Sequence, residues 1–433
     1  MQHKDLLFTG INQIWKVVAG PLLLLLIPYY LSPVEQGFWY TFISIAALSV
    51  FADLGFSTIV LQFAAHEFSR LKFLTDGMVA GDEQALWRLA SFFRFSVVWL
   101  LRVVAAVFPL IFAGGYYFLS LREVDFAWQI PWLIYSLASV GVFAFTTLFC
   151  FFEGCNSVGR VQSMRVLVSM GTTLTQIIGL LCHWSLMALA FSLVVSLTVG
   201  WGLLLYHYRV AMRQLWQMSK GQIYDWWPEF SSLLWRYAIS WSSGYFIFQL
   251  FTPLAFHFYG PEFAGQVGIS IAMWTAGMNI SMTWITAMIP QLNIMVEEKQ
   301  WQNFDGSFNK CMKRSVLTMV AGGSGFLVVY WWLQSTVDFF QHVLPLLSMG
   351  ILFVCWSTQV YINCLAAYIR AHKEEPLASI SLVSAVSVVL FTVLSAMFLP
   401  CEYFVCGFFV TYLWSTPVIY RIFRSYRLRH CRL

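Results

Sequence analysis

The sequence predicts an all-α integral membrane protein with twelve transmembrane helices in two six-helix bundles. Three features predict it: the composition, the length of the apolar runs and the charge of the loops. Of 433 residues, 59% are hydrophobic and 10% are charged, against roughly 25% charged residues in a soluble protein. This number of charged residues is too small to cover the surface of a water-soluble protein. The apolar surface must therefore face lipid. Soluble enzymes, disulfide-rich secreted scaffolds and nucleic-acid-binding domains are therefore excluded for the whole chain.

Apolar runs long enough to cross a bilayer, which takes about 20 residues per helix, follow one another along the whole sequence. The twelve runs are 8–31, 37–65, 96–120, 128–152, 166–183, 185–208, 233–257, 265–290, 316–337, 343–369, 377–399 and 403–420. Each external connection has only a few residues, so no external domain is expected. The nine cysteines form no C-x-x-C pair and are interpreted as small apolar membrane residues.

The basic residues of the connections alternate between the two sides of the predicted membrane. With the N-terminus inside, the inside segments hold 21 Lys and Arg residues, and the outside loops hold one, Arg122. Cytoplasmic segments carry such an excess, so both termini are predicted to be cytoplasmic. The count also supports the number of spans. One helix too many or too few would place basic connections on both sides of the membrane.

Residues 66–95 form one of the longer inside connections. Asp82 is placed to cap a helix there, and Leu86, Leu89 and Phe93 would share one face of that helix. The segment is expected either to lie on the inner membrane surface or to be an ordinary connecting helix.

An internal repeat relates the first external turn of each half. Residues 30–43 and 258–271 align at an offset of 228 residues. Because each unit has six spans, the halves point the same way, and a pseudo-two-fold axis along the membrane normal is expected. The predicted lobes are residues 1–215 and residues 216–433, the second with a basic tail. The aligned identities are Pro33 with Pro261, Gly37 with Gly265, and Ile43 with Ile271.

Several short motifs resemble the Wzx-type O-antigen and polysaccharide flippases. They are the turn Pro33–Gly37, the run Phe51-Ala-Asp-Leu-Gly-Phe-Ser57, the sequence Gly81-Asp82-Glu83, and the segment Glu153–Arg160 after span 4. The repeat and the number of spans fit the same family. This family belongs to the multidrug/oligosaccharidyl-lipid/polysaccharide exporter superfamily, which also contains the MATE-type multidrug exporters and the lipid II flippases.

The resemblance implies a bacterial inner-membrane protein of polysaccharide biosynthesis, such as O-antigen or lipopolysaccharide biosynthesis. Such a flippase moves an undecaprenyl-diphosphate-linked oligosaccharide from the cytoplasmic to the periplasmic leaflet by alternating access. It is not an enzyme and needs no cofactor, although coupling to H+ or Na+ is expected. Its expected partners are the lipid-linked oligosaccharide, membrane lipids, and a polysaccharide polymerase with its chain-length regulator, but no nucleic acid.

Four charged residues lie within the predicted spans, where an ionisable side chain needs a partner or a cavity. Asp53 is deep in span 2, with Ser49 and Ser57 on its face, and is expected either to face a cavity as a coupling residue or to form a structural salt bridge. Lys16 and Arg102 are expected to bind the diphosphate, and their pairing with Asp53 is the alternative. Arg236 is a further candidate, although it is near enough to the interface to extend its charge there.

Neutral polar residues at helical spacing could bind sugars or could join helices to one another. The substrate-binding candidates among them are Gln249, Asn279, Thr283, Gln359 and Asn363. Their helices also carry Ser242, Tyr245, Thr252, Thr275 and Thr286.

Two prolines interrupt spans at related places in the two halves. Pro21 lies in span 1 and Pro253 in span 7, and each removes a helical hydrogen bond. Because interrupted helices at corresponding positions indicate a transport site, both residues are predicted hinges.

Two other functions remain open. A drug/cation antiporter of the same superfamily would have the same spans, but the cations at positions 16, 102 and 236 favour anionic cargo. A membrane oligosaccharide polymerase or glycosyltransferase would be expected to present a substantial external loop with acid and base groups, which this sequence lacks. No metal site is predicted.

Overall fold

The computed structural model describes residues 15, 19–219, 224–372 and 376–430. Within these residues, eight helices are long and apolar enough to cross a membrane, and a bent pair, Pro33–Asp53 with Phe56–Phe68, makes a ninth if it is one span. Every predicted span contains helix in its described part. The predicted all-α membrane fold is therefore confirmed.

The chain divides into two compact units. Unit 1 comprises Met1–Leu31 and Phe42–Ser242, and unit 2 comprises Ser32–Thr41 and Ser243–Leu433. The division falls after Ser242, and the segment Ser32–Thr41 belongs to unit 2. The lobes 1–215 and 216–433 stay a prediction.

Unit 1 consists of long helices and one small β-hairpin. Its elements are α1 (Ala19–Tyr30), α3 (Val50–Asp53), α4 (Phe56–Phe68), β1 (Leu71–Phe73), β2 (Val79–Gly81), α5 (Glu83–Ser120), α6 (Gln129–Gly154), α7 (Val158–Leu181) and α8 (Leu186–Met218). Two helices extend across the division between units, namely α2 (Pro33–Ala46) and α9 (Trp227–Phe248).

The connection after α4 differs from both structures expected for it. Strands β1 and β2 pair antiparallel around a turn at Gly77, whose φ of 86° suits glycine. Gln214 of α8 fixes the hairpin, because its side chain accepts from the Val79 N–H and donates to the Val79 carbonyl, both at 2.8 Å. Asp82 does cap a helix, accepting from the Ala85 N–H at 3.0 Å. That helix is α5 itself, which continues for 38 residues, so no separate surface helix forms.

The core of unit 1 is rich in aromatic side chains. The rings of Phe152 and Tyr208 stack with centroids 4.0 Å apart and join α6 to α8. Leu89 and Phe93, on the face predicted to be apolar, are buried in this core. The apolar face at the beginning of α5 therefore packs against protein.

Unit 2 is built from helices, with two short 3₁₀ turns at Asp338–His342 and Cys401–Tyr403. Its helices are α10 (Phe251–Tyr259), α11 (Pro261–Thr286), α12 (Ile289–Glu297), α13 (Trp301–Leu333), α14 (Leu346–Ala371), α15 (Ala378–Phe398) and α16 (Cys406–His430). The pairs α11 with α13, α13 with α14, and α15 with α16 pack side by side.

Candidate functional site

The helix of span 2 breaks directly after Asp53. Leu54 and Gly55 both adopt left-handed backbone conformations, with φ of 45° and 81°, and the two helical parts meet at 44°. Gly55 adopts this conformation freely, whereas Leu54 pays a steric cost there. Span 2, predicted as one continuous helix, is therefore broken directly after Asp53, the carboxylate predicted to be functional.

The Asp53 carboxylate caps the second part of the broken helix. Its Oδ1 accepts hydrogen bonds from the Ser57 backbone N–H at 3.1 Å and from the Ser57 hydroxyl at 2.5 Å. The Ser57 hydroxyl also lies 3.4 Å from the hydroxyl of Thr147 on α6. Among the described residues, Asp53 forms no ion pair. The alternative in which Arg102 pairs with Asp53 is therefore not observed, and Lys16 lies outside the described residues.

A second group of polar side chains lies one turn further along α6. Arg165 donates to Glu153 at 2.9 Å and to the Cys150 sulfur at 3.5 Å, and Gln162 donates to Glu153 at 2.9 Å. We name Asp53, Ser57, Thr147, Cys150, Glu153 and Arg165 the α6 polar chain.

Sequence reasoning did not identify Glu153 and Arg165 as members of this group. It placed Arg165 in a cytoplasmic connection, but α7 already begins at Val158. Their opposite charges, on either side of the turn between α6 and α7, were the available signal.

Arg102 lies on the exposed face of α5, next to Leu101, which is 60% exposed. It forms no ion pair with any carboxylate in the described part of the chain. Arg94, about 12 Å closer to the start of the same helix, donates to the Ser219 carbonyl at 2.9 Å. Arg102 is thus an intramembrane cation with no carboxylate against it in unit 1.

In unit 2, Gln359 and Asn363 of α14 form a hydrogen-bonded cluster. Gln359 donates to Asn363 at 2.9 Å and accepts from the Tyr412 hydroxyl of α16 at 2.5 Å. Asn363 approaches the Met278 sulfur of α11 at 3.8 Å. These contacts join three helices, so both amides already have partners within unit 2.

The remaining polar candidates lie on exposed or interrupted helices. Asn279 and Thr283 are exposed on α11, and the Thr283 hydroxyl donates to the Asn279 carbonyl at 3.2 Å. Half-buried Gln249 lies between α9 and α10. The helix is broken there because Pro253 has no N–H to donate to the Gln249 carbonyl. Pro21 lies near the beginning of the described part of α1, and the side chain of Arg236 lies outside the described residues.

The two repeat-related turns pack against each other within unit 2. A Cβ added to Gly37 would overlap the Pro261 carbonyl oxygen, and a Cβ added to Gly265 would lie 3.0 Å from the Pro33 carbonyl oxygen. The contact is reciprocal and needs glycine at both positions. Alongside it, the Gln36 amide and the His342 ring are hydrogen-bonded at 3.0 Å.

A capping box fixes the beginning of α2 at this contact. Glu35 accepts from the Ser32 backbone N–H at 2.8 Å, and the Ser32 hydroxyl accepts from the Glu35 N–H at 3.3 Å. Pro33 fits the first turn, where its missing N–H has no helical partner. Within the described residues, no group of three or more His, Cys, Asp or Glu side chains could hold a metal ion.

Solved structures of transporters share this fold. An inward-facing multidrug resistance MATE family transporter of the MOP superfamily aligns over 97% of this chain and 96% of its own, at 11% identity and a TM-score of 0.59. An outward-facing one aligns over 99% of this chain and 94% of its own, at 12% identity and a TM-score of 0.58. A MATE structure in complex with Br-NRF aligns over 98% and 96%, at 13% identity and a TM-score of 0.57.

No family model matches the sequence, and no curated protein matches it. The structural likeness covers nearly the whole length of both chains. The chain therefore has the two-lobed, twelve-helix fold of the MATE-type transporters of the MOP superfamily.

Proposed function

We propose that this protein is a transporter that works by alternating access and flips an undecaprenyl-diphosphate-linked oligosaccharide between membrane leaflets. The fold supports the transport mode, because solved structures of both inward-facing and outward-facing transporters match it at similar TM-scores, 0.59 and 0.58. The motifs that resemble Wzx-type flippases support the cargo. A bacterial inner-membrane location, and cooperation with a polysaccharide polymerase and its chain-length regulator, belong to the same proposal.

The observation that carries the choice of anionic cargo is the environment of Arg102. An arginine in the middle of a span is costly unless it faces water, a partner or a substrate. Arg102 is exposed, and it has no carboxylate partner among the described residues. A guanidinium binds two phosphate oxygens at once, so Arg102 is suited to the diphosphate. Lys16 and Arg236 stay in the proposed set as further cations.

Sugars need neutral hydrogen-bonding groups, and unit 2 supplies them on two faces. Asn279 and Thr283 lie exposed on α11, so they are available to a glycan. Gln359 and Asn363 already bond to neighbouring helices, so a glycan would have to share or replace those bonds. We therefore assign the first contact with sugar to α11, with Gln249 as a further candidate.

Asp53 is proposed as the coupling residue. Its carboxylate lies at a helix break, beside the hydroxyls of Ser57 and Thr147. A carboxylate oxygen can receive a proton or coordinate a cation such as Na+. Because the same oxygen also caps α4, a cation bound there would weaken the cap and couple ion binding to the bend.

A drug/cation antiporter is the second candidate, and one observation favours it. Glu153 forms an ion pair with Arg165, whereas Asp53 forms no ion pair with any described cation. The α6 polar chain therefore carries one more carboxylate than cations. This excess would also suit a cationic drug.

Reconstitution tests the proposed cargo. In liposomes, the purified protein is expected to move a lipid-linked glycan from one leaflet to the other without making or breaking a glycosidic bond. The measurements are leaflet-specific labelling of the glycan and mass spectrometry of the extracted lipid. New glycosidic linkages would assign the protein to the enzymes, and transport of cationic dyes without glycan transport would favour the antiporter.

Variants of Arg102 sharpen this test. Arg102→Gln is expected to weaken glycan binding by about tenfold to a hundredfold, since a hydrogen bond to a charged group contributes about 1.5 to 3 kcal/mol. Arg102→Lys should retain part of the affinity, because the charge remains while the bidentate geometry is lost. Arg213→Gln, which removes an exposed charge near the end of α8, is the matched control. Equal affinities for all three variants would exclude Arg102 from the site.

Cysteine labelling tests the orientation. In a cysteine-free background, Arg213→Cys and Arg424→Cys are expected to resist a membrane-impermeant thiol reagent added from outside. Asp125→Cys, in the connection between α5 and α6, is expected to react. The reason is the count of 21 basic residues inside against one outside. External labelling of residue 213 or 424 would contradict the cytoplasmic placement of these segments.

A further inference from the structure

A cavity of about 280 Å³ lies in unit 2 between α11 and α13. Its lining contains no residue of the α6 polar chain and neither Gln359 nor Asn363. The residues that matter for its shape are Trp274, Gly277, Ile280, Thr318, Gly322 and Phe326.

Missing side chains create this cavity. A Cβ added to Gly322 would meet nothing within 4 Å, and one added to Gly277 would meet only the Met319 sulfur at 3.8 Å. Gly322 and Ile280 are both exposed, so the cavity opens on the surface of unit 2. The walls are mainly apolar, because Trp274, Ile280 and Phe326 supply hydrocarbon surface. The result is an apolar groove along two antiparallel helices.

One end of the groove is polar and basic. The Trp284 indole N–H donates to the Thr318 hydroxyl at 3.0 Å, and the Arg314 guanidinium lies 5.5 Å from the centre of the Trp284 ring. Lys310 follows one turn further along α13. Both cations are exposed, and neither forms an ion pair with a described carboxylate. Their donors are free to bind an anion.

We propose that this groove is a binding site for an anionic phospholipid of the surrounding membrane. One acyl chain occupies the cavity between Gly277 and Gly322, and the phosphate binds Arg314 and Lys310. The residues that line the cavity on α11 run from Met273 to Ser281, or about 12 Å of helical rise, and the contact of Trp284 with Thr318 extends the groove to about 16 Å. An apolar groove of this length with a cationic end is complementary to an acyl chain with an anionic head group.

A resident phospholipid suits this site better than the prenyl-linked cargo does. A basic pocket between transmembrane helices at the membrane surface is a recurring site for anionic head groups. The residues that line the cavity include neither Asn279 nor Thr283, the sugar-binding candidates of α11. A bound lipid would fill the space between α11 and α13 and so stabilise their packing.

Native mass spectrometry of the purified full-length protein tests this site. Protein equilibrated with a mixture of phosphatidylglycerol and phosphatidylethanolamine is expected to retain one phosphatidylglycerol more strongly than the neutral lipid. Arg314→Gln should lower that preference about fivefold, as expected for one cation at the membrane surface. Gly322→Leu should remove the bound lipid, because the added side chain fills the cavity.

Two matched variants separate the groove from general surface effects. Lys313→Gln removes a neighbouring exposed charge, and Gly325→Leu places a leucine where an added Cβ meets nothing within 4 Å. Both should retain the lipid as the wild type does. Equal losses in Arg314→Gln and Lys313→Gln, or an unchanged lipid in Gly322→Leu, would overturn the site. Displacement of the phosphatidylglycerol by added undecaprenyl diphosphate at an equal concentration would also overturn it and assign the groove to the cargo.

Discussion

Gly37→Leu is expected to abolish transport while the protein still reaches the membrane. At the contact between the repeat-related turns, a side chain at position 37 has no space against the Pro261 carbonyl. Overpacking of this kind costs about 1 to 3 kcal/mol, which shifts a two-state equilibrium by about 5-fold to 150-fold. Alternating access requires both ends of a transporter to open and close in turn. A turn held away from Pro261 would therefore leave the cycle without the state in which these two turns are packed together.

The control for this variant is Gly114→Leu, where an added Cβ meets nothing within 4 Å. Export of the glycan, normalised to the amount of protein in the membrane, is the measurement. A second experiment holds the contact closed. It uses the double variant Gln36→Cys and His342→Cys, because the native side chains at these positions are hydrogen-bonded at 3.0 Å. A cleavable thiol crosslinker between them should stop transport, and its cleavage should restore it. Wild-type export by Gly37→Leu would show that transport does not need this contact to form, and wild-type export by the crosslinked protein would show that transport does not need it to open.

The spans could be predicted from the sequence because lipid imposes a simple requirement on each of them. A helix that crosses the hydrocarbon core satisfies its own backbone and must be apolar over about 20 residues, so local composition is sufficient. The break at Leu54 and Gly55 could not be predicted in the same way. It contains no proline, and glycine is common in transmembrane helices. The break at Gln249 was easier to predict from the sequence, because Pro253 has no N–H to donate to the carbonyl four residues before it.

The candidate site was predictable one helix at a time. Asp53 was identified by the cost of a carboxylate within a span, and Gln359 with Asn363 by their i, i+4 spacing. Their partners on other helices were not identified, because Thr147 and Tyr412 are ordinary residues of their own helices. Helix pairing depends on tertiary packing, which a single sequence does not encode in any local pattern. For the contact of Gly37 with Pro261, the sequence did contain a signal, because the internal repeat relates the two turns that carry these residues. The repeat did not predict that the turns touch.

Asp53→Asn is expected to leave glycan binding intact and to remove the dependence of transport on an ion gradient. Asparagine keeps a side-chain oxygen that can accept the two hydrogen bonds from Ser57, but it carries no negative charge and cannot take up a proton. Asp53→Ala removes both the charge and the cap. It should therefore also destabilise the protein by about 0.5 to 2 kcal/mol, the usual contribution of a helix cap. Thermal unfolding in the same detergent measures that difference between the two variants.

Ser57→Ala is the matched control, because it removes the hydroxyl that bonds to Asp53 but keeps the carboxylate and the backbone hydrogen bond at 3.1 Å. It should lower stability slightly and preserve coupling. Transport into liposomes is measured with and without a proton gradient, and then with a sodium gradient, so that the coupling ion is identified in the wild type. Gradient-dependent transport at the wild-type rate in Asp53→Asn would reduce Asp53 to a helix cap. Equal instability of the Asn and Ala variants would instead show that the negative charge, and not the hydrogen bonds alone, stabilises the broken helix.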